Sequence, residues 1–259
     1  MAGFSTDGIV LKRIEYGDHD LIVTFFTVSM GRISVMAKNA KKSVKRFAGA
    51  LEPFSAMNLE CTWPKRKNTL PILNNVELSN PFSKIRTNTA NTGYACYWLE
   101  LVNAWMEEGK PQAGLYELLY YVLAALDSGT MKKEILSLLF QIRFMNLSGF
   151  TPDLTCCGTC STPLDEIRQQ RITFDFAEGQ LVCGRCAKKT IRRHAITVSK
   201  GTLKQLFWIN NSDLQRAERL RFSPCTVREG EALLEAFIPC HIGREVKSLT
   251  FLRRIREVA

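Results

Sequence analysis

What this sequence lacks narrows its class before any motif is read. No apolar run approaches the ~18–20 residues needed to cross a bilayer. The opening MAGFSTDGIV has no basic stretch leading into an apolar one, so no secretory signal is expected there. The chain has no glycine-rich phosphate loop, no dinucleotide-binding fingerprint and no nucleophile elbow. Histidine is scarce. His19, His194 and His241 are the only three, and none has the H-x-E context of zinc deaminases or the H-E-x-x-H of metalloproteases. His241 reads as a structural histidine at a helix junction. With no catalytic constellation, the chain reads as a binding protein rather than an enzyme.

Acidic residues are also short, 25 against 35 Lys and Arg, for a formal charge of +10. The excess is uneven. Residues 32–67 carry nine Lys/Arg against two Glu, a net +7, and residues 191–259 carry thirteen against seven acids, a net +6. Residues 68–155 sum to −2, six cations against eight acids. Two basic regions flanking a mildly acidic middle point to a polyanion, nucleic acid above all.

Cysteine is what the chain has in quantity, nine in 259 residues. An odd count without a secretory signal fits a reducing cytoplasm, where thiols are metal ligands or buried apolar groups. Cys61, Cys96, Cys225 and Cys240 read as small core residues. Cys157 with Cys160 and Cys183 with Cys186 form two C-x-x-C hooks, with 22 residues between them. Two intervening residues let one turn bring both thiolates within about 2.3 Å of a shared zinc ion. Gly158 and Gly184 follow the first Cys of each hook, where a turn favours a residue without a Cβ. Between the hooks, residues 172–176 and 180–182 alternate like a hairpin around Glu178-Gly179. Four thiolates leave no open position, so the zinc would be structural. Four reduced thiols or a redox dithiol are the competing readings. Cys156 adjoins Cys157 and would give a three-residue spacing; Cys157, with the better two-residue spacing, is taken as the ligand and Cys156 as a spare.

Residues 8–14, 21–28, 33–37, 54–63 and 69–76 read as five short strands separated by turns. Five strands in about 80 residues without a long helix fit a small closed barrel, an OB-fold ahead of an SH3-like barrel. The third and fourth strands are joined by a loop carrying Lys38, Lys41, Lys42, Lys45 and Arg46, with Glu52 as its one acid. These five cations cannot all be paired locally. With Arg32 before the loop and Lys65, Arg66 and Lys67 in the next hairpin, they form a candidate phosphate-tracking surface, against the plainer reading of a solvated loop. Phe47, Phe54 and Trp63 could stack on bases nearby, although each taken singly reads as core.

From residue 81 the apolar period changes to that of helices, at 89–108, 112–126 and 131–147, with short connections. Further helices are expected at 200–210 and 228–238. The expected architecture is α+β and multidomain. Residues 1–80 form a barrel, and residues 81–259 a mainly helical domain with the four-cysteine hairpin inserted at 150–190.

The segments GIVLKRIEYGDHDLIVTFFT and GRISVMAKNAKKSVKRFAGALEPF resemble the opening of RecO, a bacterial DNA repair and recombination mediator family. Asn39 stands where that family usually has Gly. Gly149-Phe-Thr-Pro-Asp-Leu resembles the family's lead into its first hook, a register that selects Cys157, and Ser161 replaces a frequent Gly. The ending PCHIGREVKSLTFLRRIRE resembles the family's C-terminal pattern. The resemblance implies a cytoplasmic, nucleoid-associated protein whose OB-fold binds single- and double-stranded DNA. It further implies strand annealing and, with RecR, assistance in loading RecA onto strands coated by single-strand-binding protein. The helical domain would dock the acidic C-terminal tail of single-strand-binding protein, with Phe251, Arg253 and Arg254 as candidates. Two other classes compete: a zinc-ribbon transcription or RNA-binding factor, and a thiol–disulfide exchange enzyme.

Overall fold

The computed structural model describes residues 3–43, 45–47, 49–66, 69–189, 194–217 and 221–258. Five strands come first: β1 (Gly3–Tyr16), β2 (Asp20–Thr27), β3 (Gly31–Ala37), β4 (Ala56–Thr62) and β5 (Ile72–Asn80). Then come α1 (Ser83–Arg86), α2 (Thr89–Trp105), α3 (Ala113–Ser128) and α4 (Lys133–Leu147). The cysteine segment holds β6 (Asp153–Cys157), β7 (Arg171–Asp175), β8 (Gln180–Val182) and the short α5 (Gly184–Ala187), and β9 (Ala195–Ser199) follows it. The chain ends with α6 (Lys200–Asn211), α7 (Leu214–Ala217), α8 (Pro224–Ile242) and α9 (Lys247–Val258). No helix among the described residues is long and apolar enough to cross a membrane.

By its contacts the chain falls into two compact units, residues 1–128 with 248–259, and residues 129–247. This differs from a division at residue 80. Helices α1 to α3 and the last helix group with the five strands, and α4 to α8 group with the cysteine segment.

In the first unit the strands pair in the order β1-β2-β3-β5-β4, and β4 returns to β1 from Gly3–Thr62 through Ile9–Ala56. The pairing is antiparallel except between β3 and β5, where a single parallel pair, Met36 with Ile72, makes the link. The Met36 amide donates to the Pro71 carbonyl there at 2.8 Å. Side chains follow the two-residue period: Ile33, Val35 and Ala37 point inward with Val10, Val23, Phe25, Leu59 and Leu73. Burying each of the larger ones contributes roughly 1.5–3 kcal/mol before entropy is counted. Gly31 is fixed by crowding as well as by its φ of +63°, since a Cβ there would sit 2.3 Å from the Lys110 carbonyl oxygen. The last helix is held by close packing: a Cβ at Gly93 would lie 3.1 Å from Ile255 and 3.3 Å from Leu252.

In the second unit a four-stranded sheet runs β6-β8-β7-β9. The hairpin read from the sequence is its centre, and β6 and β9 extend it on either side. Ser199 caps α6 by accepting from the Thr202 amide at 3.2 Å, and Ser223 caps α8 by accepting from Thr226 at 3.1 Å. Pro224 stands in the first turn of α8, where a missing N–H costs nothing. The helix therefore starts before the expected residue 228 and runs on to Gly243, whose φ of +67° ends it.

Candidate metal centre and nucleic-acid interface

Cys157 ends β6, Cys160 closes the turn after it, Cys183 follows β8, and Cys186 lies in α5. Sheet pairing brings the hooks together, because β6 runs parallel to β8 and Cys157 pairs with Leu181. The four thiol sulfurs lie within 4.8 Å of one another. Tetrahedral zinc with bonds of about 2.3 Å separates its sulfurs by about 3.8 Å, and Cys160 and Cys183 stand 3.7 Å apart. The donor set fits the group, so these four residues can hold a metal ion. Cys157 and Cys183 are buried, whereas Cys160 faces solvent.

Electrostatics favour thiolate at part of the cluster. Burial opposes charge on Cys157, but the amides of Cys183, Cys160 and Thr159 outweigh it and bring its pKa below the ordinary thiol value. The Thr162 hydroxyl and amide bring Cys160 down to about 6. Cys186 is pushed up to about 12, first by its hydrogen bond with Cys183. Cys156 is outside the cluster, its thiol 3.7 Å from an Asp153 carboxylate oxygen. Neither hook glycine is needed for a positive φ. At the first hook that conformation belongs to Ser161, φ 55°. Gly158 leaves room for Gln180, whose side-chain carbonyl oxygen would lie 1.8 Å from a Cβ there. Two of the other cysteines depart from the expected core placement: Cys225 and Cys240 are exposed.

The basic residues divide. Lys38 follows the end of β3, and the Met36–Ile72 pair sets that end beside the β4–β5 hairpin carrying Lys65 and Arg66. Two segments separated by some 20 residues of sequence therefore adjoin. Lys67 lies outside the described residues. Lys38, Lys42, Lys45, Lys65 and Arg66 are all exposed. Asn39 takes φ 54° and its amide donates to Asp20 at 2.7 Å, which starts the loop. Arg46 closes it, donating to the Lys38 carbonyl at 2.8 Å and stacking 4.9 Å over Phe47. Arg32 is not brought to this surface. It lies at the far end of β3, roughly 20 Å of strand from Lys38, where it donates to the Asn103 carbonyl at 3.3 Å.

Sequence reading missed Glu15 and gave Glu52 no partner. Glu15 of β1 pairs with Lys41 at 2.8 Å, and Arg13 pairs with Glu52 at 2.5 Å. With Lys42 and Phe47 they line an open cleft of about 660 Å³. The Glu15–Lys41 hydrogen bond and charge lower the Glu15 pKa. A 26-residue separation hides this pair from any local charge count. In α9, Phe251 and Arg254 are exposed while Leu252 is fully buried, so one face is packed and the other is open.

Comparison with known proteins covers nearly the whole chain. The family models described as Recombination protein O N terminal and Recombination protein O C terminal match residues 1–82 and 86–250. A protein of Desulfosudis oleivorans named DNA repair protein RecO is 42% identical over 258 residues, 99% of each chain. Proteins of the same name from Desulfatibacillum aliphaticivorans and Syntrophus aciditrophicus are 40% and 36% identical over 256 and 257 residues. Each of those alignments covers 99% of this chain and 98% of the relative.

Proposed function

The chain belongs to the RecO family of DNA repair proteins, and from that premise we propose that it is a DNA-binding mediator of recombinational repair. In this reading it binds single-stranded and double-stranded DNA and anneals complementary strands. With RecR it helps RecA replace single-strand-binding protein. It works as a binding protein, without chemistry of its own.

The observation that carries the reading is the Met36–Ile72 pair, which sets the start of the lysine loop beside the β4–β5 hairpin with Lys65 and Arg66. Five strands paired in a ring suit an OB-fold, whose loops commonly track nucleic-acid backbones. The free lysines would neutralise phosphates without reading bases, so single strands and duplex are both ligands. Neutralised phosphates also let two strands approach each other, the physical requirement for annealing. We assign DNA contact to Lys38, Lys41, Lys42, Lys45, Arg46, Lys65 and Arg66, and leave Arg32 to the packing of its own unit.

The four cysteines would hold zinc as a structural ion, which supplies the divalent charge that lets four thiolates share so small a volume. The chain itself does the rest: backbone amides orient Cys157, and the β6–β8 pairing sets both hooks in register.

The test is a competition titration of single strands, duplex and RNA against full-length protein at several salt concentrations. Saturable binding of both DNA forms, weakening steeply with salt, is expected. Absence of saturable DNA binding at low salt would overturn the reading.

A further inference from the structure

Two exposed aromatic side chains flank the lysine loop, one on each side. Tyr16 ends β1 with 55% of its surface exposed, opposite Asp20 across the hairpin. That hairpin is tied to the loop at two points: the Lys41 amide donates to the His19 carbonyl at 3.1 Å, and the Asn39 amide to the Asp20 carboxylate at 2.7 Å. On the other side Trp63 follows β4, 40% exposed, with its ring centroid 5.3 Å from that of Phe4. Thr62 and Ile72 are paired, and Ile72 pairs in turn with Met36, two residues before Lys38. The path from Tyr16 to Trp63 crosses four strand-to-strand steps, about 19 Å at ~4.8 Å each. The loop cations lie between them. The other two aromatics near the basic segments, Phe47 and Phe54, are 2% and 3% exposed and serve the core.

Exposed aromatics cost a folded protein apolar surface left in water. Phe4 supports Trp63 from within the fold and leaves part of its indole open. Bases stack on aromatic faces whatever their identity, at roughly 1–3 kcal/mol per base, but only if they are not already stacked in a duplex. Lysines between two such rings would take the phosphates joining the stacked bases.

We propose that Tyr16 and Trp63 are base-stacking side chains that hold unpaired nucleotides at the two sides of the lysine loop. Their ligand is a single-stranded segment several nucleotides long. This rests on the DNA-binding reading above and adds the feature that separates single strands from duplex: the lysines serve both, whereas the rings serve unpaired bases alone. It also suits annealing, since bases stacked singly on side chains keep their pairing edges open to a second strand.

The experiment compares full-length wild type with Tyr16→Ala, Trp63→Ala, Trp63→Phe and Trp63→Leu. The probes are a labelled oligothymidine and a mixed-sequence duplex at fixed salt. Tyr16→Ala and Trp63→Ala should each weaken oligothymidine binding by roughly fivefold to a hundredfold and leave duplex binding within about twofold. Trp63→Phe should retain most single-strand affinity. Trp63→Leu keeps an apolar contact with Phe4 but offers no ring face, so it should behave like Trp63→Ala and covers the case in which alanine unsettles the fold. Oligothymidine should also quench the part of the tryptophan emission that Trp63→Phe removes. Equal losses on both probes, or none on either, would overturn the stacking roles while leaving DNA binding intact. A wild-type chain that bound neither probe would overturn both.

Discussion

The thiol sulfurs of Cys160 and Cys183 stand 3.7 Å apart, although they lie 23 positions apart in the chain. Four thiolates at such spacing repel one another, and each pair costs about 1 kcal/mol even at the dielectric of water. A divalent ion removes the conflict. We expect one tightly held zinc per chain by metal analysis of unchelated protein. Cys183→Ser should lose it and unfold residues 150–190. Cys156→Ser should keep it, because that thiol turns toward Asp153. Metal-free protein, or metal lost from Cys156→Ser and kept in Cys157→Ser, would contradict the assignment.

The lysine loop is best tested at cations that make no ion pair among the described residues. Arg46 holds the Lys38 carbonyl and Lys41 holds Glu15, so replacing either disturbs the loop along with the charge. Changing Lys38, Lys42 and Lys45 together to Ala should lower the slope of log affinity against log salt by roughly 0.7–0.9 for each phosphate left without its cation. Single strands and duplex should weaken alike. Glu15→Gln should do the opposite and tighten both by releasing Lys41. Unchanged binding in a folded triple variant would make the loop a solvated surface only.

Glu229 is a joint of the second unit, and its charge can be followed by pH. Burial works against the carboxylate. The hydroxyls of Thr202 and Ser199, the Ser199 amide and Arg171 together outweigh it and hold its pKa at about 2, below the ordinary 4.5. A folded pKa below the unfolded value gives stability that is fully present above about pH 4.5. That stability is lost as pH falls through about 2. The side chain is only 12% exposed, so the shift corresponds to ~3 kcal/mol. Urea unfolding of Glu229→Gln should show a loss of that order at neutral pH and a flatter acid limb. Wild-type and variant acid limbs of equal slope would remove Glu229 from the account.

Ser161 and Asn39, which the family resemblance sets against Gly, both adopt left-handed backbone, φ 55° and 54°. For an ordinary side chain this costs roughly 1–2 kcal/mol, and Asn tolerates it best. Ser161→Gly should therefore raise the resistance of the metal-loaded hairpin to thermal unfolding, while Asn39→Gly should change little. A destabilised Ser161→Gly would mean that the hydroxyl, not the backbone, decides that position.

Those two positions also mark what the sequence makes legible. Alternation places all five strands of the first unit, because a two-residue period reports which face is buried wherever one face meets water. The hook spacing picks out the four cysteines that the sheet brings together. Pairings between distant parts of the chain stay hidden. Nothing local to Gly93 says that α9 returns to pack on it, so the compact units differ from a division at residue 80, close to where the two family models meet. Arg32 looks like part of a basic run, but its strand carries it away from Lys38. Glu15 reaches Lys41 only through the β1–β2 hairpin. Cys225 and Cys240 read as core on residue type alone, and residue type does not say which side of α8 each one takes.

The open face of α9 bears on the partner that the family resemblance implies, the acidic tail of single-strand-binding protein with its apolar last residue. Leu252 and Ile255 face Gly93, and Arg256 lies 4.8 Å over the Tyr94 ring and donates to its hydroxyl at 2.9 Å. Those contacts fix the orientation of the helix. They leave Phe251, 49% exposed, beside Arg254 one turn on. Phe251 is thus not a core residue. An apolar ring next to a guanidinium suits a peptide that ends in an apolar side chain and a carboxylate. Arg253 already has a partner, so Arg254 is the better candidate. Because α9 groups with residues 1–128, a fragment starting at residue 81 would keep Gly93 and Tyr94 but lose the five strands of that unit, and the test needs the full chain. Fluorescence anisotropy with a labelled acidic tail peptide at low salt should show saturable binding. Phe251→Ala and Arg254→Glu should each weaken it about tenfold or more, equivalent to ~1.4 kcal/mol. Arg256→Ala should act differently, lowering the melting temperature by removing the hydrogen bond to Tyr94. If both surface variants bind the peptide as wild type does, the tail docks on another surface of the chain.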